Sequence, residues 1–394
     1  MDLHPDLSFK ITHHSGDQYA RTGILSTPHG AIETPNFIFC GTKGAIKGLT
    51  MDQMRECGAE IILANTYHLF LNPGGDFLEK QGKIHRMIDW NGPMLTDSGG
   101  FQIFSLGNGW VADEIKGKRH HTSERKLLKI TEAGAQFISY IDGSPHFLTP
   151  ERSIQTQIQI GADLIVVLDE CSPYNVSREY TARSMEMSHR WEKRSLDEYL
   201  RRSDGSQGLY GIVQGGVYED LRRQSAEFVN GQEFFGQAIG GCLGGTREEM
   251  YEVVSHGARH LRKDRPTHLL GIGSVHDIWN GIHEGIDTFD CVHPTRLARH
   301  GGALVRPVEA DGKSNINLRN ACFKDDDRPL DPRLPCKASS YFSRSYIHYL
   351  IRAGEMLGIQ LLTMHNVCFM MELMKAVRKA IREDRIEEET KRWI

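Results

Sequence analysis

The sequence predicts an α/β fold, a closed (β/α)8 barrel, and three observations carry that expectation. Short apolar runs of strand length recur along the chain, each ending in a polar or Gly-rich punctuation. Helix-like stretches separate many of them, which argues parallel strands joined by crossovers. Eight such runs spread over about 300 residues suit a TIM-type barrel better than a doubly wound sheet. No GxGxxG follows any run, which speaks further against a dinucleotide-binding fold.

The eight runs, in chain order, are 36–41 (NFIFCG), 60–65 (EIILAN), 93–97 (PMLTD) and 163–169 (DLIVVLD), then 209–214 (LYGIVQ), 235–240 (FGQAIG), 268–273 (HLLGIG) and 286–290 (IDTFD). Residues 51–58 read as a helix closed by Gly58. Residues 150–161 read as another, with Pro150 in the first turn and Thr149 as N-cap. Two stretches break the rhythm. Residues 105–148 lack the alternation, include the basic segment 116–121 (KGKRHH), and predict an excursion with a β-hairpin around 137–142. Residues 302–345 are turn-rich and precede helices expected over 343–357 and 366–388. The expected organisation is therefore a barrel with a catalytic mouth over 1–301 and a C-terminal helical subdomain over 302–394.

Composition sets the limits. The 394 residues are 39% hydrophobic and 25% charged, which excludes a collagenous, low-complexity or wholly disordered chain. No run approaches 18 apolar residues, so no membrane span is expected, and the first residues lack a secretory signal. Eight cysteines lie singly with no CxxC, the pattern of a reduced, cytoplasmic chain. A net charge of −4 argues against a generally basic nucleic-acid binder. The average conceals a local excess, because residues 292–354 carry 11 Lys/Arg against 6 Asp/Glu.

Chemistry in such barrels sits at the carboxyl ends of the strands. Asp97, Asp169, Gln214 and Asp290 occupy four of those ends. A lone Asp there is usually a helix cap or turn former. Four polar groups on separate strands point to a reaction instead, and two separated carboxylates suit glycosidic-bond chemistry. Gly pairs follow three of the strands: Gly99 with Gly100, Gly215 with Gly216, and Gly240 with Gly241. They serve tight turns or let backbone approach a flat ligand, and a base, a sugar or a phosphate all remain open. Beyond Asp290, the segment 290–301 (DCVHPTRLARHG) sets Thr295, Arg296 and Arg299 close together, a pattern that grips phosphate or a base edge.

Six motifs together resemble the tRNA-guanine transglycosylase family, the queuine tRNA-ribosyltransferases, in its bacterial, single-chain form. They are 65–69 (NTYHL), 96–102 (TDSGGFQ), 168–171 (LDEC), 211–216 (GIVQGG), 238–241 (AIGG) and 289–299 (FDCVHPTRLAR), in family order. The resemblance implies base exchange at wobble position 34 of a GUN anticodon, where guanine leaves and a 7-deazaguanine, queuine or preQ1, is installed. It implies Asp290 as nucleophile on the ribose and Asp97 as proton acceptor. Asp97, Ser98, Gly99, Gly100, Phe101, Asp169, Gln214, Gly241 and Gly244 would bind the base, with Phe101 stacking on its face. The target nucleotide would leave its stack to reach them. Gly271, Ile272, Gly273, Ser274, Val275, His276, Asp277, Thr295, Arg296, Leu297, Ala298 and Arg299 match the family's RNA-contacting segments. No cofactor is implied for catalysis, and the implied partners are tRNA, the free base and a second copy in a homodimer.

Two positions depart from the family pattern. Members that take preQ1 carry Val where this chain has Gly244, and members that take queuine carry Gly. The expectation is that queuine is accepted directly, although Cys171 matches the preQ1 type. The family's structural zinc uses Cys-x-Cys-x-x-Cys and a distant His, but the matching positions here are Leu334, Cys336, Ser339 and His365. Two surviving ligands cannot close a structural zinc site, and Cys322 and Cys368, which could in principle substitute, do not lie at the family's positions. Three other readings compete: a non-catalytic partner subunit, a barrel glycoside hydrolase and a passive RNA-binding module. The first would lose Asp97 and Asp290, the second leaves the arginines unexplained, and the third leaves the acids unexplained.

Overall fold

The computed structural model describes residues 5–16, 19–103, 129–241 and 244–394. Its centre is a closed barrel of eight strands: β1 (Asn36–Cys40), β2 (Ile62–Ala64), β3 (Met94–Thr96), β4 (Leu164–Val166), β5 (Gly208–Val213), β6 (Gly236–Ile239), β7 (Thr267–Leu269) and β8 (Thr288–Cys291). The order around the barrel follows the chain, β1 to β8, and then closes, with β8 beside β1. Every strand overlaps one of the eight apolar runs. Those runs are continuous rather than alternating because strands of a helix-covered parallel sheet are buried on both faces. Phe37, Ile38, Phe39, Ile165 and Val213 are accordingly without solvent exposure.

Local signals fix the helices as expected. Thr149 accepts a hydrogen bond from Arg152 N at 3.1 Å, caps the helix Pro150–Ile160, and leaves Gly161 to end it at φ +81°. Thr50 and Gln53 form a reciprocal capping box on Met51–Glu56, and Gly58 follows at φ +85°. A three-stranded sheet, Ser8–His14, Arg21–Thr27 and Gly30–Thr34, had no apolar run to announce it. From its second strand Arg21 sends a buried fork onto Asp287 (3.0 and 2.5 Å), one residue before β8.

The chain divides into two compact units. One comprises Met1–Ser8, Thr27–His29 and Ala64–Thr267. Within it, Lys129–Thr131, Gly134–Ile138 and Pro145–Leu148 form an antiparallel sheet, with Phe137 opposite His146. The expected hairpin is the one joining its last two strands, and Phe137 packs into a core with Tyr67, Leu168 and Trp191. The basic segment 116–121 lies outside the described residues. At the start of β4 in this unit, Asp163 meets His29 Nδ1 at 2.7 Å and His85 Nε2 at 3.4 Å. The two imidazoles stack at 3.6 Å with planes 6° apart, so they cannot both aim an in-plane lone pair at one metal ion. The cluster acts as a carboxylate clamp. Burial raises the Asp163 pKa, but the two histidines outweigh it and hold the carboxyl down at about 2.

The other unit comprises Phe9–Ser26, Gly30–Leu63 and His268–Ile394. Its C-terminal helices are Arg344–Ala353, Met356–Arg382 and Ile386–Trp393. The long helix starts ten residues before the expected 366, and the tail is a separate helix. Gly354 ends the first helix at φ +79°, and Asp384 at φ +51° interrupts the tail. The sequence hid the early start because the polar residues of 356–374, Gln360, Thr363, His365, Asn366 and Glu372, do not fall on one helical face, which masks a helical period. Among the described helices this one is long and apolar enough to cross a membrane, yet 67% of its apolar window is buried inside the protein, as in a core helix.

Leu334, Cys336, Ser339 and His365 lie in this unit. Leu334 is a buried hydrocarbon. Cys336 Sγ is 3.0 Å from Ser339 Oγ, Ser339 Oγ is 2.9 Å from His365 Nδ1, and His365 Nε2 is 2.9 Å from the Leu304 carbonyl. The carbonyl accepts only, so Nε2 carries the proton and Nδ1 accepts from the Ser339 hydroxyl. Burial pushes His365 down to about 4, which keeps that ring neutral. Cys368 hydrogen-bonds Cys336, whereas Cys322 is exposed.

Candidate active site

Asp97 follows β3, and three N–H donors converge on its carboxylate. Asn65 Nδ2 and Gln102 Nε2 each donate to Oδ2 at 2.6 Å, and Thr66 N donates to Oδ1 at 2.7 Å. The Thr66 hydroxyl also donates to the Asp97 carbonyl at 2.5 Å, so both backbone and side chain are fixed. Next along the chain, Ser98 Oγ accepts from Gly100 N at 3.3 Å and Gly99 takes φ +87°. Phe101 is 50% exposed, which leaves its ring available to a flat ligand.

Asp169 and Gln214, beyond β4 and β5, form a second pair. The Gln214 amide donates to Asp169 Oδ2 in a buried contact. Burial is the largest cause that pushes the Asp169 carboxyl up to about 7, with the charges of Glu170 and Asp97 adding to it. Its charge state therefore changes near neutrality. Gly241, at φ +79°, makes the pair possible, since a Cβ there would lie 2.2 Å from Gln214 Oε1. Buried Arg222 donates to the Gly216, Val213 and Gly240 carbonyls at 2.7, 2.9 and 2.7 Å, pinning two of the Gly-Gly turns.

Asp290 lies on β8 and has its own set of donors. Gly271 N donates to Oδ1 at 2.8 Å, His268 Nε2 is 3.2 Å from the same oxygen, and Cys40 Sγ is 3.5 Å from Oδ2. Among the described residues, the carboxylate is thus held firmly through one oxygen and by a weak thiol donor through the other. Just beyond, the helix His293–Arg299 carries Arg296 and Arg299. Burial and the charge of Arg296 lower the Arg299 pKa, and burial with Arg299, Lys43 and Arg296 lowers that of Lys47. The charges of Lys43, Arg296 and Arg299 thus reach Lys47, and such a grouping of cations suits a polyanion.

The sequence of the chain is similar to those of known proteins. The family model for queuine tRNA-ribosyltransferase matches residues 16–394. The chain belongs to the queuine tRNA-ribosyltransferase family. A queuine tRNA-ribosyltransferase of Roseiflexus sp. (strain RS-1) is 47% identical over 398 residues, covering 98% of this chain and 99% of its own length. One of Pelotomaculum thermopropionicum is 42% identical over 381 residues, 96% of each chain. One of Staphylococcus aureus (strain JH9) is 43% identical over 368 residues, 93% of this chain and 90% of its own.

In this queuine tRNA-ribosyltransferase family member, the residues matching the RNA-contacting segments differ in exposure. Gly273, Val275, Thr295 and Ala298 are buried. Ser274 caps the helix Val275–His283 by accepting from Asp277 N, and its hydroxyl donates to the Asp277 carboxylate. Ile272, His276, Arg296, Leu297 and Arg299 are half-buried, and Gly271 is exposed. Asn65, Thr66 and Gln102 around Asp97 were not among the expected site residues, although the motifs 65–69 and 96–102 contain all three. Nor were Cys40, Lys43, Lys47 and His268, for which the sequence carries no local signal.

Proposed function

We infer that this chain is a tRNA-guanine transglycosylase that exchanges guanine for a 7-deazaguanine in queuosine modification. The observation that carries the reading is Asp290, anchored through one oxygen while the other, among the described residues, has the weak thiol donor of Cys40. In the first step an Asp290 oxygen forms a bond to ribose C1′. The C1′–N9 bond breaks, its electron pair stays on guanine N9, and N9 takes up a proton. In the second step the incoming base gives up its N9 proton, N9 bonds to C1′, and the ester bond breaks to restore the Asp290 carboxylate. Asp97 is the group we assign to proton transfer, with the donors from Asn65, Thr66 and Gln102 fixing its position. The half-exposed Phe101 ring supplies a stacking surface, and the Asp169–Gln214 pair supplies an edge reader. Lys47 and the cations whose charges reach it supply the phosphate contacts, so the acidic net charge of the chain is no obstacle.

The incoming base we propose is queuine as well as preQ1. Gly244 has φ +106°, and a Cβ there would stand 2.8 Å from Glu249 Cγ. The position is therefore more than a trimmed valine, because its backbone also excludes a side chain. Exchange assays on one tRNA with guanine, preQ1 and queuine should show queuine incorporated at a rate comparable to preQ1. A strong preference for preQ1 contradicts the proposal.

For the zinc we propose that none is needed. Leu334 and Ser339 cannot supply thiolates, and the lone pair of His365 Nδ1 is used by the Ser339 hydroxyl. The chain Cys336–Ser339–His365–Leu304 does the tethering instead. Purified protein should carry no stoichiometric zinc, and a chelator should leave its Tm unchanged. One zinc per chain overturns this. Free cysteines throughout the described residues suit a cytoplasmic enzyme. Tyr341 and Met356, 77% and 84% exposed in the C-terminal region, suit the homodimer we assign to it.

A further inference from the structure

We propose that His268 is a positioning residue for the nucleophile, held in one tautomer by Thr288 so that it fixes Asp290 Oδ1 and leaves Oδ2 to attack. The inference rests on the reading of Asp290 as the nucleophile. His268 sits on β7 directly opposite Thr288 on β8, and its ring is 1% exposed. It therefore reaches two groups of the neighbouring strand at once. Nδ1 lies 2.9 Å from Thr288 Oγ1, and Nε2 lies 3.2 Å from Asp290 Oδ1. Thr288 and Asp290 are two residues apart on one strand, so their side chains share a face.

The chemistry of the partners decides the tautomer. An ionised carboxylate only accepts, so Nε2 must carry the hydrogen and donate it to Asp290. In the neutral ring Nδ1 then accepts, and the Thr288 hydroxyl is its donor. Without that hydroxyl the proton is free to move to Nδ1, which would turn a lone pair on Nε2 toward the carboxylate oxygen. Gly271 N donates to the same Oδ1 at 2.8 Å, so two N–H groups hold one oxygen. Oδ2 has the Cys40 thiol at 3.5 Å, a weak donor that costs little to displace. The asymmetry selects the attacking oxygen. It also leaves Oδ1 anchored while the C1′–Oδ2 bond forms and breaks, so the carboxylate does not have to find its orientation in each step.

The test compares His268→Phe, His268→Gln, Thr288→Val and Asp290→Asn in the full-length protein, measuring kcat and KM for tRNA with Tm beside them. A Gln amide offers an N–H for Asp290 and a carbonyl for the Thr288 hydroxyl. We expect His268→Phe to lower kcat on the order of 100-fold with KM for tRNA unchanged, and His268→Gln to recover about tenfold of that. Thr288→Val should lower kcat several-fold at unchanged KM. Wild-type kcat in His268→Phe, beside an inactive Asp290→Asn, overturns the positioning role alone. So does His268→Gln performing no better than His268→Phe while both keep the wild-type Tm. Exchange surviving in Asp290→Asn would instead remove the nucleophile reading on which the inference stands.

Discussion

Replacing Asp290 with Asn should abolish the covalent enzyme–RNA adduct and lower base exchange by about 10⁴-fold or more, while tRNA binding persists. The size follows from what is lost. Loss of a covalent nucleophile in other enzymes costs about 10⁴- to 10⁶-fold, because no neighbouring group forms the same bond. The Asn amide is nearly isosteric, so His268, Gly271 and Cys40 keep a side chain of the same shape to pack against. The RNA should still bind through Lys43, Lys47, Arg296 and Arg299, none of which touches the altered group in the contacts described above. Filter binding and denaturing gels on the same preparation separate the two quantities. A variant that keeps both adduct and turnover would place the nucleophile elsewhere.

Asp97→Asn should have the second largest effect, a loss of about 10²- to 10⁴-fold in kcat, the range typical of a removed proton-transfer group. An amide cannot take the proton from the incoming base. It also brings an N–H toward Asn65, Thr66 and Gln102, which all present donors to Asp97 now. The local hydrogen bonds must therefore rearrange, and KM for the base should rise together with the fall in kcat. Asp290 and its donors are a separate set, so adduct formation should be slowed and not eliminated. An Asp97→Asn variant with wild-type kcat at saturating base would remove Asp97 from proton transfer.

The barrel was legible because each buried strand announces itself as an apolar run closed by a polar residue. The caps Thr149 and Thr50 act within one turn of the chain, so sequence alone suffices for such elements. Asp97, Asp169, Gln214 and Asp290 were legible for the same reason, as polar residues at strand ends. The partners that orient them were not. His268 meets Asp290 only because β7 pairs with β8, and Cys40 only because the last strand closes against β1. A side chain's role there depends on register, which periodicity does not specify. The start of the long C-terminal helix was hidden for a different reason: burial makes the helix apolar on too many sides for its period to show. Ser339 marks a third case. A missing thiolate reads as simple loss, but the folded chain uses the hydroxyl to link Cys336 with His365.

The most direct measurement is to identify the residue that carries the RNA. Enzyme quenched during turnover with tRNA, digested with nuclease and protease, and read by mass spectrometry should yield one modified peptide. The ribose fragment is expected on Asp290. A fragment attached to Asp97 or Asp169, or turnover with no attached fragment at any time point, would contradict it.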